Sequence, residues 1–146
     1  MSGDFLGTFE NSVNKQRIII PAPFKAKFSH EADQSAIVTI GPNQSIAIYP
    51  LDNWKSLKEK AANGDDRAKR FLNNLIDFAC PEQALEGPGR IRISDELLDI
   101  ANISETVIIK GEGSYITLWN PEKFKEMRVR KLSAHQSEFN SMDYQL

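Results

Sequence analysis

The residues best suited to chemistry in this 146-residue chain are arginines that leave tight turns. Arg17 follows Asn14-Lys15-Gln16, and Arg90 follows Glu86-Gly87-Pro88-Gly89. An arginine so placed projects a planar fork of donors that fits a phosphate or the edge of a guanine. Gly89 can take the positive φ that such a turn needs, and would let the backbone approach a sugar-phosphate chain. Lys15, Lys25 and Lys27 lie close to Arg17 in sequence. Arg92 stands two residues beyond Arg90, so it shares a strand face with it. Arg17, Arg90, Lys15, Gly89, Arg92 and Lys25 are therefore the candidate contacts to double-stranded DNA. The competing assignment is structural: each turn arginine would hold a carboxylate such as Glu10 or Glu86.

Other reactive side chains form no constellation. His30 and His135 lie far apart with no cysteine or carboxylate at ligand spacing, so neither a metal site nor a cofactor is expected. One cysteine, Cys80, excludes an internal disulfide and reads as a buried thiol at a helix end before Pro81. Gly111-Glu112-Gly113 reads as a hairpin turn, since no helix follows it to cradle a phosphate. An enzyme would need a nucleophile–base pair or converging carboxylates, and none stands out. Neither catalysis nor a small-molecule substrate is expected.

Composition limits the reading further. The chain is 40% apolar and 26% charged, ordinary for a globular protein. No apolar run approaches the roughly 20 residues of a membrane helix, and Met1-Ser2-Gly3-Asp4 does not open a secretory signal. A cytoplasmic location without membrane contact is the expectation. The net charge of −2 and pI of about 5.7 do not advertise a nucleic-acid binder, so DNA contact depends on where the charges sit.

The elements that must position the arginines occur twice. Arg17-Ile18-Ile19-Ile20 and Arg90-Ile91-Arg92-Ile93 each read as a short strand followed by a helix start. Phe24 and Phe28 then share one helical face, and Leu97, Leu98 and Ala101 mark the second helix behind the N-cap Ser94. A hairpin follows in each half: residues 36–40 with 46–49, and 106–109 with 115–119. An aromatic recurs five residues after the closing aromatic in both halves, Tyr49 to Trp54 and Trp119 to Phe124. The offset between halves is 73 at the arginines and 70 at Tyr49 and Trp119, a difference of loop length.

Between the halves, Trp54, Leu57, Lys58 and Ala61 predict one helix, stopped by Asn63-Gly64. Asp65 or Asp66 caps a second, which carries Phe71, Leu72, Leu75 and Ile76. Residues 123–131 predict a terminal helix and 133–146 a polar, mobile tail. The resulting division is 5–54 first repeat, 55–79 connecting helices, 80–124 second repeat, and 125–146 helix and tail. The aromatics Tyr49, Trp54, Phe71, Phe78 and Trp119 are assigned to the core or to a subunit interface.

Each repeat is too small for its own core and would leave open strand edges. Interleaving the two closes the sheet, and the unbroken run Ile18-Ile19-Ile20 predicts a strand covered on both faces. The expected class is α+β, mainly β: two tandem units forming one pseudo-twofold body with flanking helices.

From Phe5 to about Phe124 the chain resembles the MraZ family. The opening Phe5-Leu6-Gly7-Thr8-Phe9-Glu10 is similar to that family's first strand. Arg17 to Lys25 resembles its first motif and following helix. The family's Asp-x-x-Gly-Arg motif is matched by Glu86-Gly87-Pro88-Gly89-Arg90, with Glu for Asp. The first copy, Asn14-Lys15-Gln16-Arg17, lacks the glycine and is one residue short. The resemblance implies an AbrB-like swapped-hairpin barrel and a DNA-binding, nucleoid-associated transcriptional regulator. It further implies a ring-like homo-oligomer on repeated promoter boxes of the division and cell-wall gene cluster. The alternative is a protein-interaction module of the same barrel class, or a ring scaffold without DNA binding.

Overall fold

The computed structural model describes residues 1–141. Its strands are β1 (Thr8–Ser12), β2 (Arg17–Ile19), β3 (Ser35–Ile40), β4 (Ile46–Pro50), β5 (Gln83–Ala84), β6 (Arg90–Arg92), β7 (Thr106–Gly111) and β8 (Ile116–Trp119). The helices are α1 (Ala22–Lys25), α2 (Leu51–Ala62), α3 (Asp66–Phe78), α4 (Asp95–Ala101) and α5 (Pro121–Ser141).

Six strands form one antiparallel sheet in the order β1-β7-β8-β4-β3-β5, and β2 pairs with β6 as a separate ribbon. That order reads the same from either end once the halves are exchanged, β1 for β5, β3 for β7 and β4 for β8. The first strand of each half pairs with the hairpin of the other. The expected interleaved, pseudo-twofold α+β fold is therefore present. Two register points lie on the pseudo-dyad: Ile18 opposite Ile91, and Ala47 opposite Thr117. A single apolar cluster takes residues from both halves, including Phe5, Ile18, Phe24, Ile48, Ile91, Leu97, Ile109 and Leu118.

Local chemistry explains the helix boundaries. The Asp65 side chain accepts from Ala68 N at 2.9 Å and starts α3. Ser94 does the same for α4 through Leu97 N at 3.3 Å. Asn120 Oδ1 accepts from the amides of Glu122 and Lys123 and Pro121 occupies the first turn, so α5 begins two residues before the expected start. Thr39 Oγ1 donates to Leu75 O at 2.6 Å, tying α3 to the sheet.

Three expectations are corrected. The terminal helix continues ten residues past Lys131 to Ser141, because no glycine or proline interrupts it. The expected tail at 133–141 is thus helical, and 142–146 lies outside the described residues. The helix bearing Phe24 is a single turn ending at Lys25; Phe28 lies beyond it, though both rings are buried. Finally, β2 is covered on one face only: Ile18 and Ile20 are buried, but Ile19 is 44% exposed. The outer face of the ribbon, which carries Arg17, Ile19, Arg90 and Arg92, has no layer packed over it among the described residues.

Candidate nucleic-acid interface

The β2–β6 ribbon follows from its alternation. Ile18 and Ile91 face each other and point into the core, which turns Arg17, Ile19, Arg90 and Arg92 outward. Arg17 lies opposite Arg92, and Ile19 opposite Arg90. Two backbone bonds extend the ribbon symmetrically, Ile20 N to Gly89 O at 2.9 Å and Ile93 N to Gln16 O at 2.8 Å.

The outer edges are held by amide side chains. Asn11 Nδ2 donates to Ile19 O at 2.7 Å. Gln83 Nε2 donates to Arg92 O, and Gln83 Oε1 accepts from Arg92 N, both at 2.9 Å. The sequence reading missed Asn11, Gln83 and Gln16. A signal was present: Asn11 and Gln83 each stand three residues before the turn in their half.

The two turns differ by the one residue expected. Asn14 and Arg17 exchange backbone hydrogen bonds, each 3.0 Å, around Lys15 (φ 51) and Gln16 (φ 65). This is a two-residue hairpin turn of the type with both central residues left-handed. Glu86 and Arg90 do the same around three residues, with Gly87 at φ 51 and Gly89 at φ 116. Only the longer turn reaches a φ that excludes side chains; the shorter one accommodates Gln16 in the ordinary left-handed region. The absent glycine is therefore a consequence of turn length.

Gly89 takes the positive φ expected of it, and its surroundings give a second reason for glycine. It is buried, and a Cβ there would stand 3.3 Å from both Ile20 O and Lys25 Cδ. Its missing side chain admits the first half's backbone at this point of the ribbon.

Directly opposed like charges destabilise a strand pair, since opposite Cβ atoms lie about 5 Å apart. Arg17 and Arg92 nevertheless oppose each other. Among the described residues no carboxylate forms an ion pair with Arg17, Arg90 or Arg92. Glu86 lines the same groove, of about 780 Å³, as Asn11, Asn14, Lys15, Arg17 and Arg90 without pairing to either arginine. Arg92 Nη2 instead donates to Gln16 Oε1 at 3.1 Å, and Gln16 Nε2 donates to the Asp95 carboxylate. Lys25 reaches from the first half to Gly87 O at 3.3 Å, so it joins the second turn. Lys15 stands exposed at the tip of the first turn.

The remaining candidates divide. Tyr49, Trp54 and Trp119 are buried, whereas Phe71 and Phe78 are exposed. Cys80 is half-buried beside Val38, its amide donating to Val38 O. Among the described residues no cluster of His, Cys, Asp and Glu could hold a metal, and no helix is long and apolar enough to cross a membrane.

The family profile described as "MraZ protein, putative antitoxin-like" matches residues 5–74. The Transcriptional regulator MraZ of Clostridium tetani is 34% identical over 128 residues, covering 84% of this chain and 85% of the relative. That of Corynebacterium kroppenstedtii is 32% identical over 129 residues, covering 86% and 87%. That of Methylobacillus flagellatus is 26% identical over 126 residues, covering 85% of each. These matches agree with a chain that is not an enzyme. With identity above 30% along most of both chains, and the twice-repeated turn arginine in an interleaved sheet, the chain belongs to the MraZ family of transcriptional regulators.

Proposed function

We propose that the chain is a sequence-specific regulator that lays its β2–β6 ribbon into the major groove of double-stranded DNA. The observation that carries this reading is the cross-strand arginine pair Arg17–Arg92, with Arg90 beside it, exposed and without carboxylate partners among the described residues. Such a face costs folding stability and is offset by an anionic partner. A two-stranded ribbon fits the major groove, where arginine forks pair with guanine. Lys15 and Lys25 supply phosphate contacts at the two turns.

One ribbon gives weak binding, roughly 10⁻⁴ to 10⁻⁶ M for phosphate contacts alone. Linked copies raise this by about 10² to 10⁴. A ring-like homo-oligomer on repeated promoter boxes, those of the division and cell-wall genes, supplies such linkage for a mildly acidic chain. Phe71, 50% exposed, and Phe78, 38% exposed, stand seven residues apart on one side of α3 and give it an apolar face suited to a second copy. The test is a gel shift with the chain's own upstream DNA at two salt concentrations, with light scattering on the same sample. Binding that weakens with salt, at a mass well above 16.5 kDa, is the expected result. A monomer without DNA affinity overturns the proposal.

A further inference from the structure

We propose that Ile19 is a specificity-determining residue that packs on the 5-methyl group of a thymine, and that it makes the recognised sequence asymmetric; this rests on the DNA-binding reading above. The pseudo-dyad through Ile18 and Ile91 carries Arg17 onto Arg90 and Ile19 onto Arg92. Three of the four outward positions therefore hold guanidinium groups. The fourth holds a branched hydrocarbon, 44% exposed, directly opposite Arg90 and two residues from Arg17.

An apolar side chain in that setting gains nothing from phosphate. On the floor of the major groove the one apolar group that a base pair presents is the thymine methyl. The position is also rigid. Asn11 fixes the Ile19 carbonyl at 2.7 Å, the ladder to β6 fixes its strand, and a β-branched side chain has restricted χ1. Ile19 is thus aimed, and its neighbours Arg17 and Arg90 set guanine contacts on either side of the thymine. Because Arg92 occupies the symmetric position, the other half of the ribbon presents donors where this half presents a methyl-sized apolar surface. A palindromic site cannot satisfy both, so a protomer reads a sequence without internal twofold symmetry.

The experiment uses the full chain. Duplexes are enriched from a random pool by the wild-type protein, and each thymine of the winner is replaced in turn by deoxyuridine, which removes only the methyl group. One position per repeat is expected to weaken wild-type binding about fourfold, the ratio given by the transfer free energy of one buried methyl group. Ile19→Ala is expected to bind the thymine and deoxyuridine duplexes alike, with unchanged oligomer mass and melting temperature. Ile19→Arg is expected to enrich guanine at that position and a more symmetric site. Enriched duplexes that are insensitive to deoxyuridine, or equally sensitive with Ile19→Ala, overturn the assignment while leaving DNA binding intact. So does an Ile19→Ala protein whose only change is a smaller oligomer, which makes Ile19 a subunit contact. Failure of the wild type to enrich any duplex removes the DNA-binding reading itself.

Discussion

Gln16 and Arg92, 76 residues apart in the chain, meet side chain to side chain, with Arg92 Nη2 donating to Gln16 Oε1 at 3.1 Å. Gln16 also anchors to Asp95 and offers its carbonyl to Ile93 N. The residue that replaces the second turn's glycine is therefore a splint that aims Arg92 outward. A fork held before binding loses less conformational entropy on contact. Gln16→Ala should weaken DNA binding through Arg92 and leave melting almost unchanged. In a double-mutant cycle with Arg92→Ala the two losses should fall short of additive by about 0.5–1.5 kcal/mol. Strict additivity would show that Gln16 does not position Arg92.

Arg90→Ala tests the proposed contact itself. Loss of one base-reading pair costs roughly 1–3 kcal/mol, and in a repeated assembly the loss recurs in every subunit. The slope of log affinity against log salt should become shallower, because fewer counterions are released. Melting temperature and oligomer mass should barely move, since an exposed arginine without an ion pair contributes little to folding. Arg17→Ala should weaken binding in the same way, and should raise the melting temperature slightly by removing the charge opposite Arg92. Unaltered affinity in the Arg17, Arg90 double variant would end the assignment.

The sequence made the repeat legible because turn chemistry and strand alternation are local. Arg17 and Arg90, the hairpins and the caps Asp65 and Ser94 all stand where local rules put them. What was not legible depends on long-range partners. The exposure of Ile19 depends on the outer face of the ribbon having no layer over it among the described residues, which no local run of isoleucines reveals. The burial of Gly89 depends on Ile20 and Lys25, more than sixty residues away. The splint Gln16 is recognisable only once Arg92 lies across the ribbon from Arg17. By contrast, the continuation of α5 to Ser141 was readable from the absence of helix breakers and was obscured by its polar composition.

Acid should loosen the attachment of the N-terminal segment. Asp52 accepts from Ser29 Oγ and Ser2 N, both at 2.7 Å, and from Ser2 Oγ at 2.8 Å. Burial pushes its carboxyl up, but the hydrogen bonds from Ser29 and Ser2 more than reverse this and hold it below its ordinary 3.8. A carboxyl lowered by folding stabilises the native state fully above its unfolded value, and that contribution is lost as pH falls through the folded value. Wild-type melting should therefore drop below about pH 4 more steeply than that of Asp52→Asn, measured in parallel by circular dichroism. Identical acid limbs would show that this cluster contributes no proton linkage.

The strand pairings predict that neither repeat folds alone. Among the described residues, four of the six strand pairings, β1–β7, β2–β6, β3–β5 and β4–β8, join one half to the other; β3–β4 and β7–β8 stay within a half. Residues 1–79 on their own would keep the β3–β4 hairpin and the Asn14–Arg17 turn, and a two-stranded hairpin is marginal in water. They would also expose Ile18, Val38 and Ile48, whose cluster includes Ile91, Ile109 and Leu118 of the other half. At about 1.5–3 kcal/mol for each aliphatic side chain left exposed, these three alone forfeit an amount comparable to the 5–15 kcal/mol by which a domain is stable. Expressed alone, 1–79 should be unfolded or aggregated by circular dichroism and light scattering. Mixing it with a separately expressed 80–146 should restore a β-sheet signal, because the missing ladder partners are then supplied in trans. A monomeric half that melts cooperatively would refute the interleaved fold, and a mixture that stays unfolded would show that the covalent link between the halves is needed to form it.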